Sequence, residues 1–381
     1  MERFYTCSCF FRDNIFLEEY KLHVRFVSES QFRNDYQNIL RSLGCVSESQ
    51  FRDVIGKIHA EIERRQNHKL KSAERAATIK EIYTPLHQHV YHLHESFLAP
   101  ELLQLVKYCA SSDATVEGLT LLKLIQTEAG ELLYSCSNLD RLTIKSWEIN
   151  HVNKKILFTL YFAAPRVFRF PVFRKEFCND LIEELEHFEQ SDAPKGRPNT
   201  MNNNGILLNE LGFDESFITP LREVYLRPLT ALLYSDCGGS CLDSHKAFVV
   251  KYAMREDLEL CYHYDNAEVT LNISLGKDFT EGNLFFGGMR QVPLSETECV
   301  EVEHHVTEGL LHRGQHMHGA LPISSGTRWN LIIWMRASRE RNKLCPMCGK
   351  RPTLVESNGF SDGFTMDPDG DTSRNVSCSL T

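Results

Sequence analysis

The chain has 381 residues, 42% of them hydrophobic and 24% charged, with a formal net charge of −9. That length suffices for two domains with a core each, and the composition is ordinary for a soluble globular protein. The negative balance argues against a general nucleic-acid or anionic-membrane surface, which needs a basic face, so no nucleic-acid partner is expected.

The opening stretch, "MERFYTCSCFFRDNIF", is broken by Arg3, Arg12 and Asp13 before any apolar run of signal-peptide length appears. Thirteen cysteines in such a chain point to a reducing compartment, and cytosol or nucleus is the expected location. Residues 1–165 read as a mainly helical domain. Phe51, Ile55, Ile58 and Ile62 recur at helical spacing, and "VSESQFRN" at 27–34 returns as "VSESQFRD" at 46–53. Each copy carries S-x-x-Q, Ser28 with Gln31 and Ser47 with Gln50, the pattern of a helix capping box. Two helix starts using one cap sequence account for the repeat. Residues 64–81 continue as a polar, solvent-facing helical stretch. In "LHQHVYHLHE", His87, His89, His92 and His94 read as helix-surface histidines, since no adjoining spacing matches a metal site. The most apolar run, 156–165, is about half of a membrane span and ends in proline. A buried strand or short helix is expected there, and no membrane span.

From 166 the pattern changes, and 166–340 reads as a second domain. "RVFRFPVF" alternates like a strand and "FCNDLIEELEHFEQSD" like an amphipathic helix. "APKGRPNTMNNNG" is a long turn-rich loop, long enough to serve as a substrate-reading lid. A second helix is expected over "FITPLREVYLRPLTALLY". After Cys241 come short strands: "SHKAFVVKYA", "EVTLNISLG", "GNLFFGG", "CVEVEHHVTEGLLH" and "RWNLIIWMR". Spaced by glycine and polar turns, they predict an all-β sandwich or barrel fronted by helices, and hence an α+β chain. Residues 341–381 read as an irregular tail. Within it, Cys345 and Cys348 have half of a zinc-knuckle spacing. The other candidate ligands, Cys378, Cys237 and Cys241, do not complete a pattern, so a reduced pair of thiols is expected.

"CYHYDNAEVTLNISLG" from Cys261 places His263 and Asp265 at the mouth of a strand. Val269, Leu271, Ile273 and Leu275 share one face of it, and Thr270, Asn272 and Ser274 the other, the period of a half-buried strand. His263 and Asp265 alone cannot hold a catalytic ion. A third ligand must come from a strand that returns to the same end, and His312, His316 and His318 are the candidates. The final strand chooses among them. Arg328, Asn330 and Ile332 share a face, and an arginine beside an apolar strand has to be paired or exposed. A dicarboxylate would pair it in a two-pronged geometry. His318 precedes Arg328 by ten residues, with "PISSG" predicted to turn a hairpin between them. The set His263, Asp265 and His318 has the composition of the facial triad of non-haem Fe(II) oxygenases. Zinc suits the same donors, and the arginine favours iron with 2-oxoglutarate. His316 as the ligand would make the spacing to Arg328 twelve.

"HYD", "LNISLG", "EGNLFFGG" and "HGALPISSGTRWNLIIWMR" occur in order. They resemble the catalytic domain of 2-oxoglutarate- and Fe(II)-dependent dioxygenases of the prolyl 4-hydroxylase and lysyl hydroxylase type. The resemblance implies a double-stranded β-helix (jelly-roll) with its core at 245–338. It implies oxidative decarboxylation of 2-oxoglutarate to succinate and CO2, coupled to hydroxylation of an acceptor, expected to be a protein lysyl or prolyl side chain. In such a site His263, Asp265 and His318 hold Fe(2+), Arg328 binds the distal carboxylate of 2-oxoglutarate, Tyr252 hydrogen-bonds the same cosubstrate, O2 is consumed and L-ascorbate re-reduces the metal. The chain departs from the family at "GLLH", where His312 stands in place of the usual aromatic. The rival reading is a low-activity or inactive metal-binding scaffold whose helical domain binds a partner.

Overall fold

Both S-x-x-Q signals open helices in the computed structural model, which describes residues 4–116, 167–292, 298–357 and 364–366. Three short strands precede the first cap: β1 (Phe4–Cys7), β2 (Ile15–Leu17) and β3 (Leu22–Val24). Strands of three or four residues are too short to display alternation, which is why the sequence pattern suggests helices alone here. Helix α1 (Glu29–Ser42) is capped by the Ser28 side chain, which accepts from the Gln31 amide. Helix α2 (Glu48–Ile82) starts with the full reciprocal box. The Gln50 amide donates to Ser47 Oγ while Gln50 Oε1 accepts from the Ser47 amide. In the first copy Gln31 donates to Asp35 instead, so the two repeats cap differently. Phe32 and Leu40 of α1 and Phe51, Val54 and Ile58 of α2 close a core over Ile15 and Leu17. Helix α3 (Pro100–Cys109) follows. The apolar run at 156–165 and Cys378 lie outside the described residues.

The strands that carry the site come next. In chain order they are β4 (Phe168–Pro171), then α4 (Lys175–Gln190), β5 (Gly205–Leu207), β6 (Ser244–Ala253), β7 (Leu260–His263), β8 (Val269–Gly276) and β9 (Phe279–Glu281). There follow β10 (Leu284–Met289), β11 (Val300–Val302), β12 (Glu308–Arg313), β13 (His316–Ala320) and β14 (Ile323–Arg336). One sheet has the order β4-β12-β8-β14-β6-β5, with β9 on β14, and the other β11-β10-β13-β7. The chain passes back and forth between them, which gives the jelly-roll. Phe248, Tyr252 and Ile332 from the larger sheet and Leu284, Phe286 and Ala320 from the smaller meet in one core. Between β5 and β6, "FITPLREVYLRPLTALLY" is helical but irregular. Two π-helical turns, Asp214–Ile218 and Leu221–Leu226, lead into an α-helical stretch, Arg227–Leu233. Pro220 and Pro228 lack amide protons and interrupt the regular ladder.

Two expectations need correction. "PISSG" does not turn a hairpin: β13 pairs with β10 and β7, whereas β14 pairs with β8 and β9, so His318 and Arg328 stand in different sheets. Residues 323–326 are already strand, and Gly326 reads as a turn former because it sits at φ +80° with the Asp278 carbonyl where a Cβ would be. Strand β8 is buried on both faces rather than half-buried.

The tail is less irregular than its composition suggests. Strands β15 (Leu354–Ser357) and β16 (Phe364–Met366) pair antiparallel on either side of β1. The chain accordingly divides into residues 1–72 with 336–381, and residues 73–335. These units cut across the boundaries expected at 165 and 340. Residues 83–91 join the second unit through the Tyr83 and Tyr91 hydroxyls, which both donate to the Glu184 carboxylate of α4.

Candidate metal centre

Strands β7 and β13 are neighbours, and their register sets His263 directly opposite His318. Asp265 lies just beyond β7, where its amide donates to the Gly314 carbonyl at 2.7 Å and fixes the turn of the chain. The carboxylate thereby faces both imidazoles: Oδ1 is 3.5 Å from His263 Nε2, and Oδ2 is 3.6 Å from His318 Nε2. One donor atom from each of the three residues lies within 4.8 Å of the other two.

The hydrogen bonds behind the rings settle which nitrogen faces inward. His263 Nδ1 is 2.7 Å from the Cys261 carbonyl, and His318 Nδ1 is 2.8 Å from the His316 carbonyl. A carbonyl only accepts, so Nδ1 carries a proton in each ring and Nε2 is the nitrogen turned toward the carboxylate. Burial holds His318 well below the ordinary histidine range, which keeps it neutral. Burial alone would raise Asp265, but positive charge on its imidazole side lowers it below the usual carboxylate range, and with His318 neutral a bound cation is what supplies such charge. Thr270 Oγ1 donates to Asp265 Oδ2 at 2.7 Å and orients it. Two imidazole nitrogens and one carboxylate facing one another form a donor set suited to a divalent metal. They line a cleft of about 420 Å3, counting its open mouth, whose walls include Tyr252, Asn272, Leu284 and Asn330.

The two other histidines of the distal stretch are placed differently. His316 Nε2 points at the Gly287 carbonyl, 2.8 Å away, and His316 is not in the donor cluster. His312 is fully buried, with its ring 4.6 Å from that of His318 and its Nε2 without a hydrogen-bond partner.

Arg328 is 0% exposed. Its Nε donates to Asn330 Oδ1 at 3.0 Å, one terminal nitrogen to the Gly282 carbonyl, and the other to His304 Nδ1 at 3.1 Å. His304 Nε2 is 3.1 Å from the Glu308 carbonyl and carries that ring's proton, which leaves Nδ1 free to accept. Every one of these partners is neutral, and among the described residues no carboxylate pairs with Arg328. Burial pulls the guanidinium down to about 10, so it remains a cation at neutral pH. It lies 5.6 Å from the centre of the Tyr252 ring and 5.5 Å from that of Phe279. A buried cation without a counter-ion carries a desolvation cost of about several kcal/mol, which an anionic ligand offsets. Packed against Tyr252, which lines the cleft of the three-donor set, this arrangement fits a carboxylate-bearing ligand.

Residues 141–239 match the family model described as "OGFOD2-like domain". The Danio rerio protein named 2-oxoglutarate and iron-dependent oxygenase domain-containing protein 2 is 81% identical over 381 residues, all of both chains. The chain belongs to that family. The Homo sapiens protein of the same name is 51% identical over 365 residues, 96% of this chain and 94% of that one. Human procollagen-lysine,2-oxoglutarate 5-dioxygenase 1 is 32% identical over 184 residues, 45% of this chain and 24% of its own length. The family implies Fe(2+), 2-oxoglutarate and O2. No helix among the described residues is long and apolar enough to cross a membrane.

The structure brings together His263, Asp265 and His318, and sets Arg328 against Tyr252. Several neighbours went unread. Thr270, Asn272 and Asn330 were legible as the polar faces of β8 and β14, and Asn330 Nδ2 indeed donates to Asn272 Oδ1 at 2.8 Å. His304 had no such signal. The loop "APKGRPNTMNNNG" turns inward at Asn199 and Asn202, which line the cleft, and Asn202 Nδ2 reaches Tyr252 Oη at 3.4 Å. His87 and His89 sit in a short 3-10 turn rather than on a helix, each 2.8 Å from a carboxylate of α4, Glu183 and Asp180.

Proposed function

We propose that the protein is an Fe(II)- and 2-oxoglutarate-dependent dioxygenase that hydroxylates a lysyl or prolyl side chain of an acceptor protein. His263, Asp265 and His318 would hold the metal through two imidazole nitrogens and one carboxylate oxygen, a three-donor set that leaves it able to take further ligands. When bound, iron and 2-oxoglutarate supply the oxidising chemistry, decarboxylation to succinate and CO2 coupled to hydroxylation, with L-ascorbate as external reductant. Arg328 takes the distal carboxylate of the cosubstrate. Asn330 and His304 hold its guanidinium plane, and Tyr252 walls the space between Arg328 and the cleft. Leu284, Ile332 and Phe248 keep the cleft dry, which strengthens every charge interaction in it.

The observation that carries this reading is Arg328, a buried cation whose partners among the described residues are neutral, packed on Tyr252 of the cleft that the three donors line. Likeness to a relative named for procollagen lysine supports the acceptor class. Asn199 and Asn202, on an inward-turned loop, are the side chains we assign to reading that acceptor.

The test is anaerobic. Fe(II) and then 2-oxoglutarate are added to metal-free protein, and the visible charge-transfer band of a chelated 2-oxo acid is followed. Wild type is expected to show the band, His318→Ala to lack it, and Arg328→Ala to need far more cosubstrate. No band at any concentration defeats the reading.

A further inference from the structure

Cys345 and Cys348 have half of a zinc-knuckle spacing, with no matching pair near them in the sequence. The fold brings the other half from 336 residues away. In the unit formed by residues 1–72 and 336–381, β1 runs between β15 and β16 and ends at Cys7, and Cys9 follows. One sulfur from each of Cys7, Cys9, Cys345 and Cys348 lies within 4.8 Å of the other three. Cys9 Sγ and Cys345 Sγ are 3.6 Å apart. A disulfide needs about 2.05 Å, and all four cysteines are free. Zinc at about 2.3 Å from four tetrahedral sulfurs sets neighbouring sulfurs about 3.8 Å apart, close to the separation seen.

The backbone around the sulfurs is built for charge. At "CPMCGK" the Gly349 amide donates to the Cys345 carbonyl at 2.9 Å and the Cys345 amide to the Lys350 carbonyl at 2.8 Å, closing a tight turn through Gly349 at φ +66°. The amide of Cys348 is directed at the Cys345 sulfur, and those of Cys9 and Thr353 at the Cys7 sulfur. Amide donors favour a thiolate over a thiol, and such donors are the usual outer shell of a thiolate-bound metal. The Ser8 amide to the Thr353 carbonyl, at 2.8 Å, ties the C-x-C segment to the strand after the C-x-x-C turn.

We propose that Cys7, Cys9, Cys345 and Cys348 form a tetrahedral Zn2+ site that staples β1 to the segment leading into β15. Four protein ligands leave no open position, so the site is structural rather than catalytic. All-sulfur donors exclude Ca2+ and Mg2+, which take oxygen. The proposal does not depend on the chemistry assigned to the histidine and aspartate centre.

The experiment separates the two centres by using full-length His263→Ala/Asp265→Ala protein, purified under reducing conditions. Elemental analysis is expected to find one zinc per chain, lost when Cys345→Ser is added. Cobalt(II) in place of zinc is expected to give the intense sulfur-to-metal bands of tetrahedral thiolate coordination. Since Cys345→Ser may not fold, wild type is also alkylated before and after chelation. The four cysteines should be protected only while zinc is bound, whereas the exposed Cys299 reacts throughout. Folded zinc-free protein in which the four thiols react as fast as Cys299 overturns the proposal. So does iron in the site, or a Cys9–Cys345 disulfide in fresh protein.

Discussion

The centre at His263, Asp265 and His318 offers three mixed donors lining a cleft, whereas Cys7, Cys9, Cys345 and Cys348 offer four sulfurs within 4.8 Å of one another. Each is positioned by strand register. His263 faces His318 across β7 and β13, and Cys7 faces Leu354 across β1 and β15. The difference lies in ligand count and softness. Three donors leave room for chemistry, and four sulfurs complete a shell and hold chain segments together. The outer shells differ in the same sense: carbonyls fix the tautomers of the histidines, while amides face the sulfurs.

Variants can break this comparison by crossing from one centre to the other. The largest effect is expected for Asp265→Ala, which should abolish 2-oxoglutarate turnover, read as succinate formation, while the zinc content of the thiol cluster stays unchanged. Zinc lost in that variant would show that the centres are not independent. Arg328→Ala comes next. Losing a charge-assisted contact of about 1.5–3 kcal/mol should raise KM for 2-oxoglutarate by about 10- to 150-fold, with the zinc content again unaffected. The thermal stabilisation that wild type gains from 2-oxoglutarate, about 2.7 kcal/mol at a hundredfold excess over Kd, should disappear in the same variant. Thr270→Val removes the donor to Asp265 Oδ2 without changing side-chain shape. Metal affinity should fall by about tenfold, measured by competition with a chelating dye. Tyr252→Phe should have the smallest effect, about two- to fivefold on the KM for 2-oxoglutarate, since the hydrogen bond its hydroxyl accepts from Asn202 is long at 3.4 Å. A loss as large as that of Arg328→Ala would make the hydroxyl a direct partner of the cosubstrate.

The jelly-roll and its centre were largely legible because their signals are local. The alternation of β8, the adjacency of His263 and Asp265, and the need of Arg328 for an anion can all be read within a few residues. The errors arose where geometry depends on distant chain. "PISSG" has turn-forming composition, yet it becomes strand because β9 lies alongside it. The first 25 residues hold strands too short to alternate, and their partners, β15 and β16, come more than 340 residues later in the sequence. The same separation hid the second half of the cysteine cluster. A C-x-C and a C-x-x-C are each weak patterns, and no local rule connects them. His304 was missed because a histidine in "EVEHHVTEG" gives no sign that it will meet an arginine from another strand.

The position of β1 between β15 and β16 sets the order of events during synthesis. Its residues are synthesised well before those of either partner strand. At about 5–20 residues per second, the 336 residues between Cys9 and Cys345 take about 17–70 s to appear. Through that interval Phe4–Cys7 has neither neighbouring strand to pair with. Phe4–Cys7 thus reaches its native pairing only after β15 and β16 are made, and Cys7 and Cys9 meet Cys345 and Cys348 only after the same delay.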